Sequence, residues 1–543
     1  MIDVLIIGSG GGGMVAALAA KEAGANVAVV SKGYPTRSQT CMAQGGINAA
    51  IGEGDSVASH IADTLKSSQG LGDEEAISKL CRDAIDAIAW LDTIGVPFSR
   101  STESTVAQRR LGGASSDRAC YAQDYTGLKI LHSLYDTCLK ADIPFYNEHF
   151  LMELIVDESS ETKRACGAVF KVLKSGELKS FYAKSVIMAT GGYSRVYDHY
   201  STNATGSTGD GLAVALRAGA VVSDMEFVQF HPTGLKNASI LISESARGAG
   251  GHLLNAHGER FTDELQPRDS LSRAINEEIQ KSGAVFLDIR HLGENFIDHE
   301  LPQERKLAKL YENIDPVTDI IPIKPVAHYT MGGIAVDASA ESTLEGLFAV
   351  GECANQNVHG ANRLGGNSLL ELIVFGKEAG TSAAKSADEL ESVNENSDAE
   401  ADVAQQLQTI KDFTNEIDFY TKRTELGELF YKFAGIERNE KGLTTALEQV
   451  HAMQHELPKM GALDSANVYN TNLIEFMEFS NMLTLSEAMI VAMLERKESR
   501  GAHARSDYSE RDDLSYQKHS AVLLHNQRID VGFSTLSTKA EER

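Results

Sequence analysis

The chain has 543 residues, of which 42% are hydrophobic and 23% charged, the balance of a globular protein with about two to four domains, each with its own core. Fifty Lys and Arg against 76 Asp and Glu leave a formal charge of −26, which argues against nucleic acid and anionic membrane surfaces as partners, because both reward a basic footprint. The six cysteines (Cys41, Cys81, Cys120, Cys138, Cys166 and Cys353) form no C-x-x-C pair, so the usual iron–sulfur and zinc spacings are missing and no metal site is expected.

In chain order, Val4 to Ile7 is a short continuous apolar run suited to a buried parallel strand. No basic region, apolar stretch and cleavage site precede it, so no secretion signal is expected. The turn Gly8-Ser9-Gly10-Gly11-Gly12-Gly13 follows, then an Ala-rich helical stretch from Met14 to Ala23, a stop at Gly24 and a second buried strand from Val27 to Val30. This is a βαβ opening to a large α/β domain. Residues 55–145 read as mostly helical and 150–190 as strands ending in Ala189-Thr190-Gly191-Gly192. A mixed stretch with clustered polar motifs covers 225–330, and a second strand-to-turn signature stands at Leu347 to Glu352. Asp388 to Asp402 holds seven acidic residues and no basic one, which predicts a solvated linker. Gln405 to His451 has helical periodicity, and the end, from about 515, reads as a short strand region with a polar tail. No apolar run approaches the roughly 18 residues of a membrane span, so any membrane association is expected through partner subunits.

Gly8, Gly10 and Gly13 form G-x-G-x-x-G between a strand and a helix. Such glycines permit the sharp turn, the approach of backbone to a pyrophosphate and close helix–strand packing, and the helix N-terminus then faces the phosphates with its positive end. The second strand ends in Ser31-Lys32, where an NAD-binding unit carries an acidic residue for the ribose. Further polar and Gly-rich segments follow at Ser38-Gln39-Thr40, at Gln44-Gly45-Gly46 and at Gly351-Glu352. Several segments of this kind suit the extended FAD better than a nicotinamide dinucleotide.

These segments, with Glu226-Phe227-Val228-Gln229-Phe230-His231-Pro232-Thr233-Gly234, Pro267-Arg268-Asp269, His328-Tyr329-Thr330-Met331-Gly332-Gly333, His359-Gly360-Ala361-Asn362-Arg363-Leu364-Gly365, Asn367-Ser368-Leu369 and Arg511-Asp512-Asp513, resemble the flavoprotein subunits of succinate dehydrogenases and fumarate reductases from residue 1 to about 520. The resemblance implies that Gly8, Gly10, Gly11, Gly12, Gly13, Ser31, Lys32, Ser38, Gln39, Thr40, Gln44, Gly45, Gly46, Asp210, Glu352, Ser368 and Leu369 hold FAD.

Fumarate and succinate carry two carboxylates, and gripping both demands cationic or hydrogen-bonding groups at each end. His231, Ser243, His328 and Arg363 are of suitable type, and the resemblance implies that they converge on the substrate. It further implies Arg268 as proton donor with Glu244 and Arg247 as its relay. A guanidinium parts with a proton reluctantly, so Arg268 is either the acid, restored by Glu244, or only a stabiliser of developing charge.

Two departures from the family pattern stand out. The histidine that carries a covalent flavin in the family is here Gln39, whose amide has no nucleophilic ring nitrogen, so FAD is expected to be held noncovalently. Leu111 replaces the usual Phe. In the related L-aspartate oxidases that position is acidic and can pair with the substrate ammonium, so Leu111 makes that activity the lesser alternative, as the set His231, Glu244, Arg268, His328 and Arg363 does a non-catalytic FAD-binding scaffold.

The expected fold is therefore α/β. A Rossmann-like FAD-binding domain (1–228 and 331–386) carries an inserted α+β capping domain (229–330). A C-terminal helical domain (403–505) and a tail region (506–543) complete the chain. The expected role is fumarate reduction in anaerobic electron transport, with succinate oxidation as the alternative direction. With no cluster ligands in the chain, an iron–sulfur subunit and a membrane or quinone-linked subunit are the expected partners, at the cytoplasmic face of the inner membrane.

Overall fold

In the first strand, Leu5 and Ile7 belong to one buried cluster and Val4 and Ile6 to another. This alternation explains the unbroken apolar run: the strand is buried on both faces. The computed structural model describes residues 1–102, 104–159, 162–395, 398–526 and 528–534. Ile2–Ile7 lies between Val27–Val30 and Leu178–Met188, parallel to both, within a seven-stranded sheet. Leu347–Ala349 joins Leu178–Met188 in parallel, and Arg164–Val172 and His149–Asp157 extend the sheet antiparallel.

One face of this sheet is covered by the helices Gly11–Glu22, Glu74–Thr93, Thr126–Lys140 and Asn367–Asp388. Gly11–Glu22 and Asn367–Asp388 cross very closely: a Cβ on Gly380 would come within 2.2 Å of the Ala16 carbonyl oxygen. Into the core on the other face reach the helices Asp210–Arg217, Phe419–Phe433, Glu440–Glu456 and Thr471–Glu495, through Leu212, Phe430, Val450 and Met489.

A second, four-stranded antiparallel sheet runs in the order Val228–Leu235, Ile321–Thr330, Val285–Asp288, His252–Asn255. It has its own core around Leu235, Leu253, Leu287, Ile297 and Ile323, to which the helix Arg268–Ser282 contributes Leu271 and Ile275. Its first strand is irregular, with register shifts between Gln229 and Phe230 and between His231 and Gly234. Bulges of this kind re-aim side chains, and here they fall on the segment that carries His231.

Two local expectations need correction. The first helix begins at Gly11 rather than Met14: Gly11, Gly12 and Gly13 are all buried, and packing rather than helix propensity holds the first turn. The acidic stretch from Asp388 to Asp402 is not all linker. Asn367–Asp388 runs to its first residue and Ala399–Lys411 begins inside it, with Glu400 and Asp402 in the first turn, where carboxylates favour a helix N-terminus. The helical periodicity of 405–451 corresponds to parts of three helices, the second and third opened by the side-chain caps Asp418 and Asn439. At the C-terminus, His519–His525 and Arg528–Ser534 form a hairpin that pairs with Val222–Ser223 in a five-stranded sheet. The polar tail beyond Ser534 lies outside the described residues.

Candidate active site

One continuous cavity runs from the start of Gly11–Glu22 to the bulged strand Val228–Leu235. Of the residues expected to hold the cofactor, Gly8, Gly10, Gly11, Gly12, Ser31, Lys32, Ser38, Gln39, Thr40, Gln44, Gly45, Gly46, Asp210, Glu352, Ser368 and Leu369 all line it. Gly13 does not: a Cβ there would sit 2.1 Å from the Gly8 carbonyl oxygen, so its part is to let the helix press on the strand.

At this end the helix has no side-chain cap at Gly10 and no acidic residue in its first turn. Its positive end is therefore not neutralised by a carboxylate of its own. Ser38 Oγ, Thr190 Oγ1 and both amide atoms of Gln44 line the cavity and are buried without a hydrogen-bond partner among the described residues. Buried polar groups of this kind are normally satisfied, and four in one cleft suit a polar, ring-bearing ligand such as FAD. Lys32 is differently engaged from a phosphate ligand: its Nζ donates to Asp210 Oδ2 and Glu478 Oε1, each at 2.8 Å. Burial works to raise the Asp210 carboxyl, but the Lys32 ammonium outweighs it and the net shift is downward. Glu352 Oε1 accepts from the Thr330 backbone N–H at 2.9 Å, and burial pushes its carboxyl up to about 7. Gln39 Oε1 accepts from the Ala204 N–H at 2.8 Å.

At the other end His231, Ser243, Glu244, Arg268, His328 and Arg363 line the same cavity, as does Leu111. The rings of His231 and His328 lie edge to face with centroids 4.9 Å apart. His231 Nδ1 accepts from the Thr233 N–H at 3.2 Å, which leaves the proton on Nε2 in the neutral ring. His328 Nδ1 pairs with Thr202 Oγ1 at 2.8 Å. Burial, then the positive charge of Arg268, holds both imidazoles well below the ordinary histidine range. They therefore stand as neutral hydrogen-bonding groups among cations.

Arg268 opens the helix Arg268–Ser282 and grips Glu244 Oε2 with Nε at 3.0 Å and Nη2 at 2.6 Å. Its Nη1 donates to Gln229 Oε1 at 3.0 Å, and Arg363 Nη2 donates to that same oxygen at 3.1 Å. Glu244 and Arg247 lie three apart in the helix Glu244–Gly248, with Arg247 Nη2 3.8 Å from Glu244 Oε1. Burial would raise the Glu244 carboxyl, but Arg268, Arg247 and the Gly112 N–H together hold it below the usual range. Arg247 is fully buried yet forms no part of the cavity wall; it stands behind Glu244 and donates from Nη1 to the Glu264 carbonyl at 2.6 Å. Ser243 caps the helix, its Oγ accepting from the Ser245 N–H at 3.1 Å and the Ser245 hydroxyl at 2.6 Å. Its own hydroxyl proton remains available to a ligand. Burial brings the Arg363 guanidinium down to about 10, with Arg268 adding to the effect.

Sequence reasoning assigned no part to Gln229, Tyr329, Gly112 or Glu304. Gln229 bridges the two arginines, and Tyr329 lies under Arg363 with the guanidinium carbon 4.2 Å from its ring centroid. Glu304 takes the Ser243 N–H at 3.0 Å. Gln229 and Tyr329 stand inside motifs already quoted, so their neighbourhood was the available signal; Glu304 had none. Among the described residues no cluster of side chains suits a metal ion, all six cysteines are free, and no helix is long and apolar enough to cross a membrane.

Residues 3–369 match the family model described as an FAD binding domain, and residues 423–542 match the fumarate reductase flavoprotein C-terminal model. The chain is 41% identical to the 8-methylmenaquinol:fumarate reductase flavoprotein subunit of Wolinella succinogenes, over 100% of this chain and 92% of that one. It is 38% identical to the succinate dehydrogenase flavoprotein subunit of Rickettsia bellii, over 99% and 96%. A solved structure of an Escherichia coli quinol fumarate reductase FrdA variant superposes with a TM-score of 0.94 at 35% identity, covering 100% of this chain and 98% of that one.

Proposed function

The chain belongs to the family of fumarate reductase and succinate dehydrogenase flavoprotein subunits, and we propose that it works as a fumarate reductase on a noncovalently held FAD. The observation that carries the mechanism is the double grip of Arg268 on one oxygen of Glu244 inside a cavity that also collects His231, Ser243, His328 and Arg363.

His231, Ser243, His328 and Arg363 hold the two carboxylates of the substrate. Arg363 suits this because it has no carboxylate partner of its own among the described residues, its Nη2 being engaged only by the Gln229 amide oxygen. When bound, FAD would supply the hydride needed to saturate the fumarate double bond. Arg268 gives a proton to one carbon of that bond, and the Glu244 carboxylate, hydrogen-bonded through Oε2 to Nε and Nη2, restores the guanidinium by passing on a proton taken from the Arg247 side. Arg247, 3.8 Å beyond Glu244 Oε1, is the next member of the relay. The reverse of the same steps oxidises succinate. A second role for Arg268, holding negative charge without parting with its proton, uses the same geometry.

Leu111 disfavours an amino-acid substrate: it is buried in the cavity wall and offers an ammonium nothing to pair with. For the assembly, we infer an iron–sulfur subunit as electron donor, and beyond it a membrane or quinone-linked subunit at the cytoplasmic face of the inner membrane. For the chain itself, we infer an FAD-binding domain over 1–228 and 331–386, capped by 229–330. The test is turnover of fumarate by the purified FAD-loaded protein with reduced viologen dye. Steady dye oxidation dependent on fumarate supports the reading, and its absence overturns it.

A further inference from the structure

Behind Arg363 lies a buried set of side chains that the proposed mechanism does not use. Tyr329 presents its ring to the Arg363 guanidinium at 4.2 Å, and its hydroxyl donates to Glu371 Oε2 at 2.7 Å. His359 Nε2 reaches the same oxygen at 2.9 Å, and its ring meets the Tyr329 ring edge to face at 5.5 Å. Glu371 is 1% exposed and has no lysine or arginine partner among the described residues. It projects from the helix Asn367–Asp388, whose first turn also brings Ser368 and Leu369 to the cavity.

We propose that Glu371, with His359, is a positioning residue for the substrate, acting through Tyr329 to hold and polarise the ground on which Arg363 grips a carboxylate. The inference rests on the reading of the cavity as a dicarboxylate site.

The physical argument has two parts. A guanidinium over an aromatic face is attracted by the negative charge density of the ring, and that attraction strengthens in a dry site. Hydrogen bonding from the phenol to a buried carboxylate pushes electron density into the ring, so Glu371 makes Tyr329 a better seat for a cation. Burial, then the charge of Glu371, raises the Tyr329 hydroxyl well above its ordinary range, so it remains the donor. The second part is geometric. The Arg363 Nε has no hydrogen-bond partner among the described residues, so of the contacts its guanidinium makes, the Tyr329 face and Gln229 are what set its plane. Fixing that plane before binding spares the substrate the cost of ordering a long side chain.

The test is steady-state kinetics of the FAD-loaded protein, with fumarate as substrate and malonate as a dicarboxylate competitor. Glu371→Gln keeps the size and an acceptor for the Tyr329 hydroxyl but removes the charge. The expected result is a KM for fumarate and an inhibition constant for malonate each raised about 3- to 10-fold, with kcat within about twofold of the wild type. Tyr329→Phe keeps the ring under Arg363 and cuts the link to Glu371, so it should raise both constants to a similar degree. The double variant should be no worse than the worse single one, because both break the same link. Unchanged constants in both single variants, additive losses in the double, or a fall in kcat alone would overturn the inference. A wild type that does not turn over fumarate would instead overturn the reading on which it rests.

Discussion

Arg268 meets Glu244 through two nitrogens on a single oxygen, Nε at 3.0 Å and Nη2 at 2.6 Å from Oε2, while the other carboxylate oxygen takes the Gly112 N–H at 2.5 Å. Both partners are buried. The carboxylate is thus fixed from both sides, and the guanidinium is aimed by Glu244 and by Gln229 at once. Only a planar fork with several donors can answer both.

The first expectation concerns that fork. Arg268→Lys offers one ammonium where three guanidinium nitrogens are used. Fumarate turnover should fall by about 10²- to 10⁴-fold, with KM changed by less than about fivefold. Near-normal turnover would show that Arg268 is not the acid, and a collapse of binding alone would make it a carboxylate clamp.

The second concerns Gly112. A Cβ at this position would lie 2.3 Å from Glu244 Oε1 and 3.1 Å from the Gln266 carbonyl oxygen. Gly112→Ala must therefore displace Glu244 from the backbone N–H that holds it. Turnover should drop by about tenfold or more while FAD content stays normal, since the relay is disturbed and the cofactor end of the cavity is not. Wild-type turnover in a fully loaded Gly112→Ala protein would remove Glu244 from the relay.

Much of the fold was legible because its signals are local. The apolar run from Val4 to Ile7, the glycine turn and the strand from Val27 to Val30 lie within a single βαβ unit, and periodicity suffices to read it. The site was legible only through motifs. Glu244 and Arg268 are 24 residues apart, Tyr329 and Glu371 are 42 apart, and Lys32 reaches Glu478 across 446 residues. No spacing rule links such pairs; tertiary packing does. The acidic stretch from Asp388 to Asp402 misled for the opposite reason. Its charge suggested solvated chain, yet acidic residues also stabilise the first turn of a helix, and Ala399–Lys411 uses them so.

The third expectation concerns the flavin. Gln39 is held through its amide oxygen by the Ala204 N–H, and an amide has no nucleophilic nitrogen to bond the isoalloxazine ring. Acid denaturation should release all the FAD into the supernatant. Yellow fluorescence migrating with the polypeptide on a denaturing gel would contradict this.

The fourth is a pH dependence of stability. His60 is fully buried, with Nε2 3.0 Å from Asn367 Oδ1 and no partner at Nδ1 among the described residues. Burial lowers its pKa from 6.5 to about 4. The unfolded chain therefore takes up a proton at a pH where the folded one does not. The contribution to stability is present above about 6.5 and is lost as the pH falls toward 4, by up to about 3 kcal/mol for the full shift. His60→Gln removes the titration. The stability difference between wild type and His60→Gln, from urea melts at pH 8 and at pH 5, should move against the wild type at the lower pH. A difference independent of pH would show that His60 does not titrate differently in the two states.

The fifth expectation is the direction of catalysis. A covalent bond at the 8α position withdraws electrons from the flavin ring and makes it a stronger oxidant. If Gln39 leaves the flavin without that bond, as expected, the reduction potential of the FAD should be lower than that of a histidine-linked one. Succinate is a weak reductant and yields electrons poorly to a low-potential acceptor, whereas fumarate takes a hydride readily from a low-potential donor. The enzyme leaves the equilibrium between the two acids untouched, but the potential at which it exchanges electrons biases which direction runs faster with a given partner. With dyes of matched potential, fumarate reduction should outpace succinate oxidation. Gln39→His, if it acquires the covalent bond, should shift the ratio toward succinate oxidation. Faster succinate oxidation by the wild type, with its flavin shown to be noncovalent, would break the link between attachment and direction.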